Sequence, residues 1–544
     1  MESRTLLAIV LSLIILIGYQ YFFLKPQPRD QQPTPQQQEE ERQETVTGEG
    51  TVTAAEETVT PALIKKPIQI TEDTTSQGAD VTVRTPLYTA VFNTKGAGLT
   101  SFRLNDYRST VNADSEPIEI VDVRTNMTLP LSVTFPESSI TVPAEVIYET
   151  DESVVDLTRS ETPRDLIFSW TYPGEVEIHK AYTFHPDRYA FELEVRILNL
   201  SGETLKENAL LSWTRYYDPE VKQDRYSHEG PVGYVQDDFI SRKLNKLDEA
   251  EFLGPGVSWG GYEDKYFIAA LISEQPSLTS LVIAKNGESM ISTGLEGPRN
   301  IVPPGQSASY RYTLYVGPKE YDLLKAQGVG LEDSINFGSW IKWLALPLLK
   351  VLNFIYDYVH NYGVAIIILT ILIKLIFWPL GNMSYKSMKE MQKLQPKIKE
   401  LQEKFKEDKA KLQQATMEMY KSHKVNPMGG CLPIFIQIPV FFGLYRALLY
   451  AIELRHAPFY FWIQDLSAKD PYYVTPIIMG ATMFLQQKMS PAPGGNEMQQ
   501  KMMMWLPVIF TFLFLNFPSG LVIYWLFNNI LSIGQQYYIN SIKS

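Results

Sequence analysis

Lys374 stands inside "GVAIIILTILIKLIFWPL", residues 363–380, with Ile, Leu and Phe on both sides. A lysine in hydrocarbon costs about 2.5–3.5 kcal/mol on insertion scales, so its presence asks for a reason. Thr370 lies one helical turn away on the same face. Other apolar stretches each carry uncharged polar groups: Gln437 in "CLPIFIQIPVFFGLY", Gln486 and Gln487 in "ATMFLQQKM", then Asn516, Tyr524, Asn528 and Asn529 near the end. None of these stretches supplies an Asp or Glu to pair with the lysine. No catalytic triad is spaced among them. What the set can do is electrostatic: a cation with a polar, hydrated wall around it is a receptor for something negative in transit. The plainer reading is snorkelling, in which the lysine stem carries its charge to the interface near Trp378.

These residues need spans to position them. Residues 6–24, "LLAIVLSLIILIGYQYFFL", are long enough to cross a bilayer core, and no small-residue cleavage site follows, so 1–25 reads as an uncleaved transmembrane anchor. Five further spans are expected at 361–380, 429–449, 472–488, 502–515 and 519–537, the last pair joined through Pro518-Ser519-Gly520. Residues 502–515 reach only about 21 Å, short for a lipid core of about 30 Å.

Between the first two of these spans, Met388, Met391, Leu394, Ile398, Leu401 and Phe405 recur at helical steps. A weaker continuation at Leu412, Thr416 and Met419 completes a helical hairpin over 381–428. With 11 Lys, Lys397 among them, against 6 acidic residues over 381–425, it is the most basic loop and should face the cytoplasm. Six spans then put both termini in the cytoplasm, with a periplasmic loop at 450–471, a cytoplasmic loop at 489–501 and a short cytoplasmic tail at 538–544. Thirteen of the 16 methionines follow residue 341, as on adaptable binding surfaces.

The region outside the membrane is different in kind. Residues 26–79, rich in Pro, Gln, Glu and Thr, read as a disordered tether. Residues 80–320 are short alternating strands: "YAFELEVRIL" puts Phe191, Leu193, Val195 and Ile197 on one face and Glu192, Glu194 and Arg196 on the other. An all-β sandwich is expected, followed over 321–360 by connecting and interfacial amphipathic helices that carry Trp340 and Trp343. The fold class is therefore a multi-domain membrane protein: a helical bundle of five spans plus the N-terminal anchor, with a large β domain in the periplasm.

The net charge of −12 conceals an acidic first part and a basic, apolar second part, which makes sequence-specific nucleic-acid binding a poor fit. Cys431 is the single cysteine, so an intrachain disulfide is excluded. No phosphate-binding loop, catalytic triad or metal-spaced cluster appears; no enzyme activity, cofactor or metal is expected.

The stretches "KVNPMGGCLPIFIQIPVFFGLYRAL", "ELRHAPFYFWIQDLSAKDPYYVTPIIMG" and "MMMWLPVIFTFLFLNFPSGLVIYW" resemble, in order and spacing, the YidC family of bacterial membrane protein insertases, in its Gram-negative form with a large periplasmic domain. The resemblance covers essentially the whole chain. It implies a groove open to cytoplasm and lipid, a hairpin that recruits substrate through Met388, Met391, Leu394, Lys397, Ile398 and Leu401, and a periplasmic β-supersandwich resembling sugar-mutarotase folds. The groove would be lined by Lys374, Thr370, Gln437, Asn516, Tyr524 and Asn528. Lysine replaces the arginine usual in that family, keeping the charge and losing the bidentate fork. Expected partners are nascent inner-membrane proteins, the ribosome, the Sec translocon and membrane lipids. A solute channel or transporter with an external sensing domain is the alternative, although the paired broken helices of a transporter are not seen. A glycan-binding protein merely anchored by the rest is a third reading.

Overall fold

The computed structural model describes residues 78–541, apart from 113, 125–126, 140–141, 144, 222–227, 248, 288, 339, 407, 424, 426–431 and 490–496. The anchor at 6–24, the tether, Met428 and Cys431 lie outside the described residues.

The strands run from Asp80–Arg84 to Ser307–Pro318; several alternate between buried and more exposed positions, while Phe267–Ser273, inside the largest sheet, is buried at every residue. In Ala190–Asn199, Phe191, Leu193, Val195 and Ile197 are all buried, as the period of two requires. An eight-stranded sheet forms one layer, and two five-stranded sheets lie over it side by side. One of them is stitched to it by aromatic rings, with Phe92 4.8 Å from Tyr182 and Phe102 6.1 Å from Phe191, centroid to centroid. The other packs on the neighbouring strands Gly230–Val235 and Val257–Glu263.

Lys180 sits at the seam between the two covering sheets. It is fully buried, and its three N–H donors meet three carbonyls: Gly96 at 3.1 Å, Ala97 at 2.7 Å and Leu131 at 2.7 Å. Gly96 and Ala97 turn one sheet, while Leu131 leads into the edge strand of the other, where its N–H reaches Ser212 O. A buried ammonium is tolerable only with every proton accepted, and here every proton is. Ala97 and Leu131 hold positive φ angles of 45° and 66°, a conformation that aims their carbonyls at the amine and costs non-glycine residues stability.

After the last strand come α1 (Tyr321–Lys325), α2 (Lys342–Val359), α3 (Tyr362–Ile376), α4 (Trp378–Lys404), α5 (Lys409–Ser422), α6 (Leu432–Tyr450), α7 (Val474–Met489), α8 (Glu497–Phe514) and α9 (Ser519–Ser541). His360, at φ 50°, ends α2, and the Asn361 side chain caps α3 by accepting from Val364 N–H at 3.0 Å. α2 buries Ala345, Leu349 and Leu352 against α6 and α3, while Trp343, Phe354 and Tyr358 remain exposed.

Residues 363–380 do not form one continuous helix. α3 stops at Ile376, and α4 leaves at 64° to it. Pro379, in the first turn of α4, has no N–H to return to Leu375, so the ladder breaks there and Trp378–Leu380 begin the hairpin helix instead. Among the described residues no single helix is both long and apolar enough to cross a membrane; the bent α3–α4 pair satisfies that test jointly. α9 is the common wall of the bundle, packing on α3, α7 and the start of α4.

Candidate substrate groove

Four of the six expected groove residues converge. Lys374 on α3 donates from Nζ to Ser532 Oγ on α9 at 2.7 Å. Ser532 Oγ in turn donates to Asn528 O, 2.7 Å away. The Asn528 side-chain oxygen accepts from Gln437 Nε2 of α6 at 2.8 Å. Tyr524, one turn before Asn528 on α9, is buried beside Gln437 with its hydroxyl outside good hydrogen-bond geometry. The lysine's partner is thus a neutral hydroxyl, and among the described residues no carboxylate pairs with it.

α9 organises the cluster because Tyr524, Asn528, Ser532 and Gln535 recur at steps of 4, 4 and 3, one face of a helix. Gln535 continues the polar line to the kink, donating to Asn382 Oδ1 at 3.0 Å and Trp378 O at 3.2 Å. A Cβ on Gly381 would lie 2.7 Å from Gln535 Nε2, so a larger residue there would push the Gln535 amide aside. Tyr385 of α4 donates its hydroxyl to Ser532 O at 3.4 Å. A second polar line, Asn529 and Gln536, points at α7: Asn529 reaches Thr482 Oγ1 at 3.3 Å and Gln536 reaches Met489 O at 2.6 Å.

The remaining two residues behave otherwise. Thr370 is buried and donates to Ile366 O of its own helix at 2.7 Å, so its hydroxyl is spent inside α3. Asn516 lies exposed in the turn between α8 and α9, beyond the start of α9 and more than two helical turns from Tyr524. The structure does not bring it to Lys374. Ser532, Gln535, Asn382 and Tyr385 were not anticipated. The signal available for the first two was their spacing from Asn528.

The hairpin stripe also has a different use. Leu394 and Ile398 are buried with Tyr420 in a small core between α4 and α5, and Met391, Met419 and Val425 pack on its edge. Met388 and Leu401 are half-buried, while Lys397 is exposed with Nζ 3.4 Å from His423 Nε2. Asp408 caps α5 by accepting from Lys411 N–H at 3.0 Å. Leu394 and Ile398 therefore hold the two helices of the hairpin together.

Two family models match the chain: "60Kd inner membrane protein" over residues 354–544 and "YidC periplasmic domain" over 80–351. The membrane protein insertase YidC of Syntrophus aciditrophicus is 57% identical over 542 residues, covering 99% of both chains. That of Geobacter metallireducens is 44% identical, covering 99% of this chain and 98% of its own. The chain belongs to the YidC family of membrane protein insertases. YidC membership places it in the bacterial inner membrane, with its β domain in the periplasm. Among solved structures, an active YidC insertase is 20% identical over 85% of this chain and 93% of that one, with a TM-score of 0.37, too low to carry a geometric comparison.

Proposed function

We propose that this insertase works by admitting the polar end of a nascent segment to the Lys374 cluster from the cytoplasmic side, alone or with the Sec translocon. The observation that carries the reading is the lysine's partnership: Ser532 fixes its position without neutralising it, so its charge stays available to an acidic segment. The wall of Gln437, Asn528 and Tyr385 supplies hydrogen bonds that lipid cannot. The apolar part of the substrate then passes into lipid, gaining about 25 cal/mol for each Å² removed from water. Asn516 has no part in this, and Thr370 contributes helix surface only.

The basic hairpin supports a cytoplasmic face for α4 and α5, and with six spans both termini lie in the cytoplasm. Nascent chains and the ribosome would meet this face through its exposed lysines, Lys397 included, and through methionines on its rim, Met383 and Met417. Nothing in the site favours a solute channel. The test is reconstitution: vesicles holding the purified chain should insert a small inner-membrane protein made in a cell-free reaction, seen as a protease-protected fragment. Protection no greater than in empty vesicles would refute the function.

A further inference from the structure

The loop between α6 and α7, residues 451–473, presents an aromatic tip. Tyr460, Phe461 and Tyr472 are 55%, 87% and 69% exposed, far more than aromatic rings of a packed loop. Residues 457–463, "APFYFWI", carry no acid or basic side chain. The tip is held in place. Phe459 N–H reaches Ile463 O at 2.9 Å, and Gln464 Nε2 reaches Phe461 O at 3.0 Å. Trp462 Nε1 donates to Asp470 Oδ1 at 3.0 Å, and buried Asp470 also accepts from Thr475 N–H at 2.8 Å, tying the loop to the first turn of α7. Beneath it, Phe459 lies so close to Gly363 of α3 that an added Cβ would come within 2.0 Å of the ring. Phe461 itself has φ 59°, a left-handed conformation that is strained for a bulky residue. A rigid loop thus accepts strain to keep an apolar ring outside.

The exposed apolar surface does not stop at the tip. It runs on to Ile477 and Ile478 in the first turns of α7 and reappears on α2 as Trp343, Phe354 and Tyr358. In a protein of the inner membrane these are faces for lipid, and Tyr and Trp concentrate at the headgroup level where such faces end. We propose that Tyr460, Phe461 and Tyr472 dock in the headgroup layer of the periplasmic leaflet and fix the depth of the bundle from that side. The occupant is lipid, because the tip is continuous with the exposed apolar turns of α7 and lacks the charge that would orient a protein partner.

The experiment places an environment-sensitive fluorophore on a single cysteine, with Cys431→Ser as background. Phe461→Cys, labelled with NBD, goes into phosphatidylcholine–phosphatidylglycerol vesicles free of other protein, beside an equally labelled Glu161→Cys on the exposed surface of the β domain. Nitroxide lipids in both leaflets make the orientation of reconstitution irrelevant. The Phe461 site should emit at shorter wavelength than the Glu161 site and be quenched several-fold more by nitroxide near the headgroup than by nitroxide deep in the chain. Tyr472→Cys, on a separate part of the loop, should behave as the Phe461 site does and guards against local misfolding of one variant. Emission and quenching at both loop sites matching Glu161 would overturn lipid docking and leave the tip to a protein partner.

Discussion

Lys374 Nζ and Ser532 Oγ meet at 2.7 Å across α3 and α9, and Ser532 passes the bond on to Asn528 O within its own helix. The serine therefore answers two questions about a lysine among apolar residues: what it is bonded to, and why it does not simply extend to the interface. Ser532→Ala should lower stability in detergent by about 1.5–3 kcal/mol, the worth of a hydrogen bond to a charged group, as measured by thermal unfolding. Ser532→Thr, which keeps the hydroxyl, should recover most of it. An alanine variant as stable as the parent would mean that the lysine finds an equivalent partner elsewhere.

The hairpin core makes a separate forecast. Ile398→Ala removes a buried side chain from a core that has three buried residues among those described, and should cost the hairpin about 2–4 kcal/mol. Hydrogen exchange should speed up over α4 and α5 and remain slow in α9. Lys397→Ala, at an exposed site, should leave that exchange pattern unchanged.

In the β domain, Lys180→Met strands the buried carbonyls of Gly96 and Leu131 at the seam, while Ala97 O keeps the Tyr182 hydroxyl at 2.9 Å. The expected loss is about 2–6 kcal/mol, since each of the two buried carbonyls left unsatisfied costs about 1–3 kcal/mol. Urea unfolding followed by the near-ultraviolet signal of the domain's buried tryptophans should show an earlier first transition.

Glu207 gives a pH dependence. It is buried, its carboxylate oxygens lack hydrogen-bond partners among the described residues, and burial raises its pKa from 4.5 to about 7. A carboxyl raised on folding contributes its stability fully below the unfolded pKa and loses it as pH climbs through the folded one. Between pH 4.5 and 8 the parent should lose up to about 3 kcal/mol relative to Glu207→Gln, which has no charge to bury. Parallel stability curves for the two proteins over that range would rule out a neutral, buried Glu207.

Periodicity told which face of an element is buried and was silent on what covers it. The alternation of Phe191, Leu193, Val195 and Ile197 was enough for a strand, since a half-buried sheet has one inner face. The stripe through Leu394 and Ile398 marked a helix equally well, yet its cover is α5 of the same hairpin. The kink after Ile376 was missed because a Trp-Pro pair in an apolar run reads as the end of a span, while physically it starts a new helix. Asn516 was drawn in by its place beside an apolar stretch; turns also favour asparagine, and that is its setting. Lys374, Gln437, Tyr524 and Asn528 were readable because a polar group among apolar neighbours must find a partner, and the helical step places the last two on one face.

The central claim is that the Lys374 charge is there for the substrate. Its most direct test uses one substrate in two forms, with an acidic or a neutral translocated tail, and Lys374→Ala beside the parent at equal protein levels. The account predicts that the alanine variant inserts the neutral-tailed form as well as the parent does, loses much of the acidic-tailed form, and that Lys374→Arg restores it. Equal insertion of both tails by Lys374→Ala, at the level of the parent, would contradict the account and reduce Lys374 to an interfacial anchor.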